Sequence, residues 1–167
     1  MESDAYVSLG SNLGDRAVQL SRALAALAAL PATRVAALSP IFETAPVGPP
    51  PQGPYLNAVA KLRTSLAPRA LLEDLLAIER AAGRVRGGVR NAARTLDLDL
   101  LLYGASVIDE PGLRVPHPRL AERPFVLEPL AALAPALRHP ELDETISALA
   151  SRVRDPREVK PWRGALR

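Results

Sequence analysis

Residues 95–103, Thr-Leu-Asp-Leu-Asp-Leu-Leu-Leu-Tyr, alternate leucine with aspartate and close on Gly104. A period of two suits a strand, because successive side chains there point to opposite faces. The alternation predicts Leu96, Leu98, Leu100 and Leu102 on one face and Asp97 and Asp99 together on the other. A fold that contains this strand must bury the leucines and accommodate two like charges roughly 7 Å apart. A face left in water would do so. So would a divalent cation: hard carboxylate oxygens suit magnesium, and this spacing lets each aspartate reach one of two ions about 3.5–4 Å apart that clamp phosphate oxygens.

The elements around the strand follow from turn formers and apolar spacing. Residues 5–9 read as a strand, Gly10, Ser11, Asn12 and Gly14 as a turn, and the next segment as a helix with Asp15 as cap and Leu20, Leu24 and Leu27 on one face. Pro31 stops that helix. Residues 33–44 read as one extended stretch, the proline-rich run 46–54 as a loop, and 55–64 as a strand. A helix then spans 68–82, opened by Pro68 and closed by Gly83. Val107 and Ile108 suggest a hairpin. Beyond residue 110 repeated prolines limit helices to short pieces, with a terminal helix over 146–153. The order β-α-β, β-α-β predicts an α/β (α+β) fold, a ferredoxin-like sheet with helices packed on one face.

Composition removes several chemistries. There is no cysteine, hence no disulfide, thiolate nucleophile or zinc-thiolate site, and two histidines make a multi-histidine metal centre unexpected. No Gly-x-x-x-x-Gly-Lys-Ser/Thr is present, which excludes a P-loop, and Gly10 to Gly14 do not fit a dinucleotide fingerprint. The longest apolar run, residues 23–30, is too short to span a membrane, and Glu2 and Asp4 do not suit a signal peptide. One cytoplasmic domain over residues 1–167 is expected. The net charge of +3 arises in a basic tail, residues 151–167, with six basic and two acidic side chains. The remainder is not basic, so no nucleic-acid footprint covers it.

Just before the acidic strand stand Arg84, Arg86, Arg90 and Arg94, with no acid among residues 84–94. Nineteen arginines against two lysines make a single arginine a weak signal, and a solvated loop would explain the four. Beside two aspartates they suit a polyphosphate held between metal and guanidinium groups. Gly83, Gly87 and Gly88 would let the segment close over it. Aromatic residues are scarce, at 4%. Tyr55 and Phe125 would serve as core packing or as a substrate wall; Asn57, facing with Tyr55, offers an amide beside a ring. His117 reads equally as structural or functional, His139 as a surface residue, and Trp162 as an anchor for the tail.

Taken together, several segments resemble the 6-hydroxymethyl-7,8-dihydropterin pyrophosphokinases of folate biosynthesis. They are residues 6–14 (Tyr-Val-Ser-Leu-Gly-Ser-Asn-Leu-Gly), 44–48 (Thr-Ala-Pro-Val-Gly), 55–57 (Tyr-Leu-Asn), Glu79 with 83–86, 94–100 (Arg-Thr-Leu-Asp-Leu-Asp-Leu), and 115–119 through Arg123 and Phe125. The resemblance implies a ferredoxin-like fold and transfer of the terminal pyrophosphate of ATP to the pterin hydroxymethyl group, with release of AMP. It implies that Asp97 and Asp99 bind two magnesium ions and that Arg84 and Arg94 neutralise phosphate charge. Arg86, Arg90, His117 and Arg123 would contact ATP. Tyr55 and Phe125 would flank the pterin, Asn57 would bond its edge, and the backbone of Thr44, Ala45, Pro46 and Val47 would complete the pocket. Partners would be these small molecules alone, with no nucleic acid or membrane, and the chain would act as a monomer.

The chain departs from some members of that family at Asn91, Ala92 and Ala93, where an aromatic and a proline stand, and at Gly87 and Gly88, which replace polar residues. Two rival readings stand against it. A ferredoxin-like RNA-binding module would need stacked aromatics on its outer sheet face, and carboxylates occupy that position instead. A non-catalytic interaction domain would leave Asp97 and Asp99 without consequence for any activity.

Overall fold

The computed structural model describes residues 1–46, 53–83 and 96–166. Strand β1 (Ser3–Ser11) leads into helix α1 (Arg16–Ala28), where the Asp15 carboxylate accepts the Val18 N–H at 3.2 Å as a cap. Strands β2 (Thr33–Leu38), β3 (Phe42–Thr44) and β4 (Tyr55–Thr64) follow, then helix α2 (Pro68–Ala81) and strand β5 (Asp97–Tyr103). A hairpin of β6 (Ile108–Glu110) and β7 (Leu113–Val115) comes next. The chain ends with a 3-10 turn (Leu120–Glu122), helices α3 (Pro124–Leu133) and α4 (Ile146–Val153), and strand β8 (Val159–Pro161).

The main sheet runs β5-β1-β4-β3-β8, with β2 also on β4, and its pairs are antiparallel. Each β-α-β unit is split: β4 lies between β1 and β2, and β1 lies between β4 and β5. That is the ferredoxin-like α/β arrangement read from the element order. The single extended stretch expected over 33–44 is divided at Ser39-Pro40. Proline has no N–H for a ladder. Ser39 bridges the gap by donating its N–H to Val59 O and accepting the Val59 N–H on Oγ, both at 2.9 Å.

Helices α1 and α2 cover one face of the sheet. Leu20, Ala23 and Leu27 from α1 and Leu71 and Leu75 from α2 are buried against Val7, Leu9, Leu56, Leu98 and Leu100. On the opposite face α3 and α4 form a second cluster with Tyr6, Val59, Leu101 and Leu102, so the helices are not confined to one side. Leu102 therefore leaves the leucine face assigned to it. Val7 pairs with Leu100 but Tyr6 pairs with Leu102, so Leu101 is an extra residue, a β-bulge that shifts the alternation by one. As a result one face of β5 begins with Asp97 and Asp99 and ends apolar.

Further corrections concern proline and glycine. Helix α3 runs for ten residues although only short pieces were expected: Pro124 occupies the first turn, where its missing N–H is harmless, and Pro129 is tolerated while Val126, Leu127 and Leu130 are buried. Gly10 belongs to strand β1, not to the turn, whereas Gly14, at φ +71°, does make the turn. Trp162 packs against the first cluster, as expected of an anchor. Among the described residues no helix is long and apolar enough to cross a membrane.

Candidate active site

The sheet face that α3 and α4 cover in part gathers, beyond their apolar cluster, the polar residues of three strands. Register places Phe42, Asn57, Gly10 and Asp97 in one row across β3, β4, β1 and β5, with Val59, Ser8 and Asp99 in the next. Directly paired residues share a face, so Asn57 and both aspartates line one surface, separated by β1 alone, or about 10 Å. Asn57 is buried and donates from Nδ2 to Thr44 Oγ1 at 2.5 Å. Its Oδ1 lies over Gly10, where an added Cβ would come within 2.6 Å of it. Gly10 is therefore the space into which the amide projects. Nothing local to residues 6–14 signals this, because the demand comes from another strand.

The ends of the segment between β3 and β4 are equally defined. The Ala45 N–H donates to Glu158 O at 2.8 Å, and Thr44 is paired with both Tyr55 and Val159. The backbone at both ends of the segment is therefore fixed by the sheet. Val47 lies outside the described residues, as do Arg84, Arg86, Arg90 and Arg94.

Arg123, the cap residue of α3, joins two parts of the face. Its guanidinium stands 3.7 Å from Asp99 Oδ2 and 5.6 Å from the centre of the Phe125 ring. His117 lies nearby: its backbone N–H donates to Leu101 O at 2.9 Å, and its Nδ1 accepts the Arg119 N–H at 3.1 Å. Burial, reinforced by Arg123, lowers its pKa to about 4, against a smaller opposing pull from Asp97. The ring is neutral at pH 7 with its proton on Nε2, which makes it an uncharged donor and a poor base.

Glu79 has a role that the sequence pattern alone does not reveal. It is 1% exposed, and its Oε2 accepts the Leu98 N–H at 2.7 Å. A helix carboxylate thus holds the backbone between the two aspartates. The signal was its position: it continues the Leu71 and Leu75 stripe of α2, where an apolar residue belongs. His139 also departs from expectation. It is buried, and its Nδ1 accepts the N–H groups of Glu141 and Leu142 at 3.2 and 3.1 Å, organising a turn.

Around the outer edge of β5 lies a cavity of about 650 Å³. Leu72 and Leu76 of α2, Leu98 and Leu100 of β5, the hairpin and His117 line it, and Asp99 opens onto it. Its lining is mixed, leucines on one side and Asp99, Asp109, Glu110, Arg114 and His117 on the other, and its volume is that of a site for one small organic ligand. The donor set on the aspartate face is carboxylate and hydroxyl oxygen, which fits magnesium. Among the described residues no third His, Cys, Asp or Glu joins Asp97 and Asp99, so the remaining ligands of an ion there would come from substrate or water.

Comparison with known proteins bears directly on this face. The sequence profile described as 7,8-dihydro-6-hydroxymethylpterin-pyrophosphokinase matches residues 6–135. A 2-amino-4-hydroxy-6-hydroxymethyldihydropteridine pyrophosphokinase of Pseudomonas aeruginosa is 51% identical over 136 residues, covering 81% of this chain and 83% of its own. The Haemophilus influenzae protein of the same name is 41% identical over 156 residues, covering 93% and 96%. A crystal structure of Plasmodium falciparum HPPK-DHPS superimposes with a TM-score of 0.73 at 15% identity over 91% of this chain. It spans 45% of that longer protein, and the likeness concerns the fold. The matched residues include the whole Asn57–Gly10–Asp97 row, and on these grounds the chain belongs to the 7,8-dihydro-6-hydroxymethylpterin-pyrophosphokinase family.

Proposed function

We propose that this chain, as one catalytic domain, transfers the terminal diphosphate of ATP to the hydroxymethyl group of 6-hydroxymethyl-7,8-dihydropterin, giving AMP and the pterin diphosphate. The observation that carries the site assignment is the pair of adjacent rows that puts a sheltered amide on the same sheet face as two carboxylates, with Asn57 and Asp97 about 10 Å apart. That spacing suits a flat heterocycle at Asn57 whose side chain reaches toward phosphate at the aspartates.

In this reading the Asn57 amide bonds the edge of the pterin, while Tyr55 and Phe125 flank its faces and Thr44, Ala45, Pro46 and Val47 complete the wall. The cavity beside β5 holds the nucleoside end of ATP, with His117 donating from Nε2 and Arg123, Arg86 and Arg90 meeting phosphate oxygens. Asp97 and Asp99 would hold two magnesium ions, which would draw charge from the phosphates and fix their orientation. Arg84 and Arg94 neutralise the charge that grows during transfer. The hydroxymethyl oxygen forms a bond to the β phosphorus, and the bond from that phosphorus to the α–β bridging oxygen breaks with its electron pair leaving on AMP. The hydroxyl proton departs either to the Asp97 carboxylate or, from an alcohol already acidified by a cation, to water without a dedicated base. Glu79 keeps the strand between the aspartates in register while this happens.

The test is kinetic. In the presence of the pterin alcohol and ATP, Asp97→Ala and Asp99→Ala should each reduce turnover by about 10³-fold with an unchanged circular dichroism spectrum. Near-normal rates in both variants would refute the site.

A further inference from the structure

The turn from β1 into α1 carries two side chains that reach the ends of the segment joining β3 to β4. Asn12 donates from Nδ2 to Gly53 O at 3.2 Å. Arg16 does more: the same Nη1 donates to Glu43 Oε2 at 2.7 Å and to Pro54 O at 3.1 Å. Glu43 is the neighbour of Thr44 on β3, and Pro54 is the neighbour of Tyr55 on β4. A single guanidinium nitrogen therefore ties the strand that enters the segment to the residue that leaves it.

The placement is not explained by the helix. Arg16 is the first residue of α1, where the positive end of the helix dipole disfavours a cation and an acid would be preferred. Its anchor is firm, since Asp15 caps the same turn. The pair with Glu43 is partly sheltered, at 27% and 39% exposure, so it is screened less than a fully exposed one. On the far side of β3 the Ala45 N–H is held by Glu158; between the strands the ladder already pairs Thr44 with Tyr55, and the Arg16 guanidinium adds a side-chain tie from Glu43 to Pro54.

We propose that Arg16 is a positioning residue for the pterin pocket, clamping Glu43 and Pro54 so that the Thr44–Asn57 pair and the Tyr55 ring keep the spacing a flat heterocycle requires. This rests on the reading that Thr44, Tyr55 and Asn57 receive the pterin. Arg16 touches neither substrate and acts through the segment ends it joins.

Steady-state kinetics on Arg16→Ala, Arg16→Lys, Glu43→Ala and the Arg16→Ala/Glu43→Ala double variant, with each substrate varied in turn, tests the clamp. Arg16→Ala should raise the KM for the pterin alcohol about 3- to 10-fold, with kcat and the KM for ATP within twofold of the unsubstituted protein and Tm within about 2 °C. Arg16→Lys should recover part of the loss, and the double variant should be no worse than Arg16→Ala, because the two residues share one interaction. An unchanged pterin KM in Arg16→Ala, or an equal rise in both KM values, would overturn the clamp while leaving the activity itself intact. If the unsubstituted protein formed no pterin-dependent AMP, the functional reading would fall and the clamp with it.

Discussion

Gly10 shows how much one absent methyl group can decide. A side chain at this position would meet Asn57 Oδ1 at 2.6 Å, and the amide cannot retreat freely because its Nδ2 is bonded to Thr44. Gly10→Ala should therefore displace the Asn57 carboxamide and raise the pterin KM at least about tenfold, while the KM for ATP stays near its original value. Separate titrations of the two substrates check this, and an equal effect on both would contradict it. At this scale the aspartates were legible in the sequence, because alternation with leucine fixes their face without help from the rest of the fold. Gly10 and Glu79 were not legible. The reason for each residue lies on another element: the Asn57 side chain in one case, the Leu98 N–H in the other.

Ser39 does a comparable task for a whole element, standing in for the ladder where Pro40 interrupts the edge stretch. Ser39→Ala removes the acceptor of the buried Val59 N–H and should destabilise the domain by about 1–3 kcal/mol, measurable by urea unfolding. A loss under a few tenths of a kcal/mol would show that the bond is replaceable. Elements with local signals were readable in advance: Asp15 and Pro68 start α1 and α2, Gly83 follows α2, and α4 spans the residues expected. The bulge at Leu101 was hidden because three consecutive leucines, Leu100 to Leu102, erase the alternation that would reveal it. Strand β8 was hidden for a different reason. Three residues carry no periodicity of their own, and β8 exists because β3 offers it an edge.

For the molecule as a whole, protonation of histidine should set the acid limit of the ligand-free protein. His117 is held to about 4 against 6.5 for the unperturbed side chain, and burial lowers His139 as well. Both depressions mean that the unfolded chain binds protons first. The stability they supply is complete above pH 6.5 and falls as pH drops below it, the His117 part being lost as pH falls toward 4. Between pH 7 and pH 5 the His117 contribution alone amounts to about 2 kcal/mol of unfolding free energy. His117→Asn, which keeps an acceptor for the Arg119 N–H, should flatten the profile. Equal stability at pH 7 and pH 5 in the unsubstituted protein would contradict the assignment of a neutral, desolvated ring.

The same scale carries the functional account, since the pterin wall, the aspartates and the cavity beside β5 come from segments far apart in sequence that only the sheet brings together. Element order was enough to anticipate the ferredoxin-like sheet. It could not show that α3 and α4 would cover the apolar end of the outer face and leave Asn57, Gly10, Asp97 and Asp99 as its polar end. The most direct test is identification of the phosphorus products by 31P NMR after mixing the protein with ATP, magnesium and the pterin alcohol. The account predicts AMP and a pterin diphosphate in equal amounts, and ADP with a pterin monophosphate would contradict it.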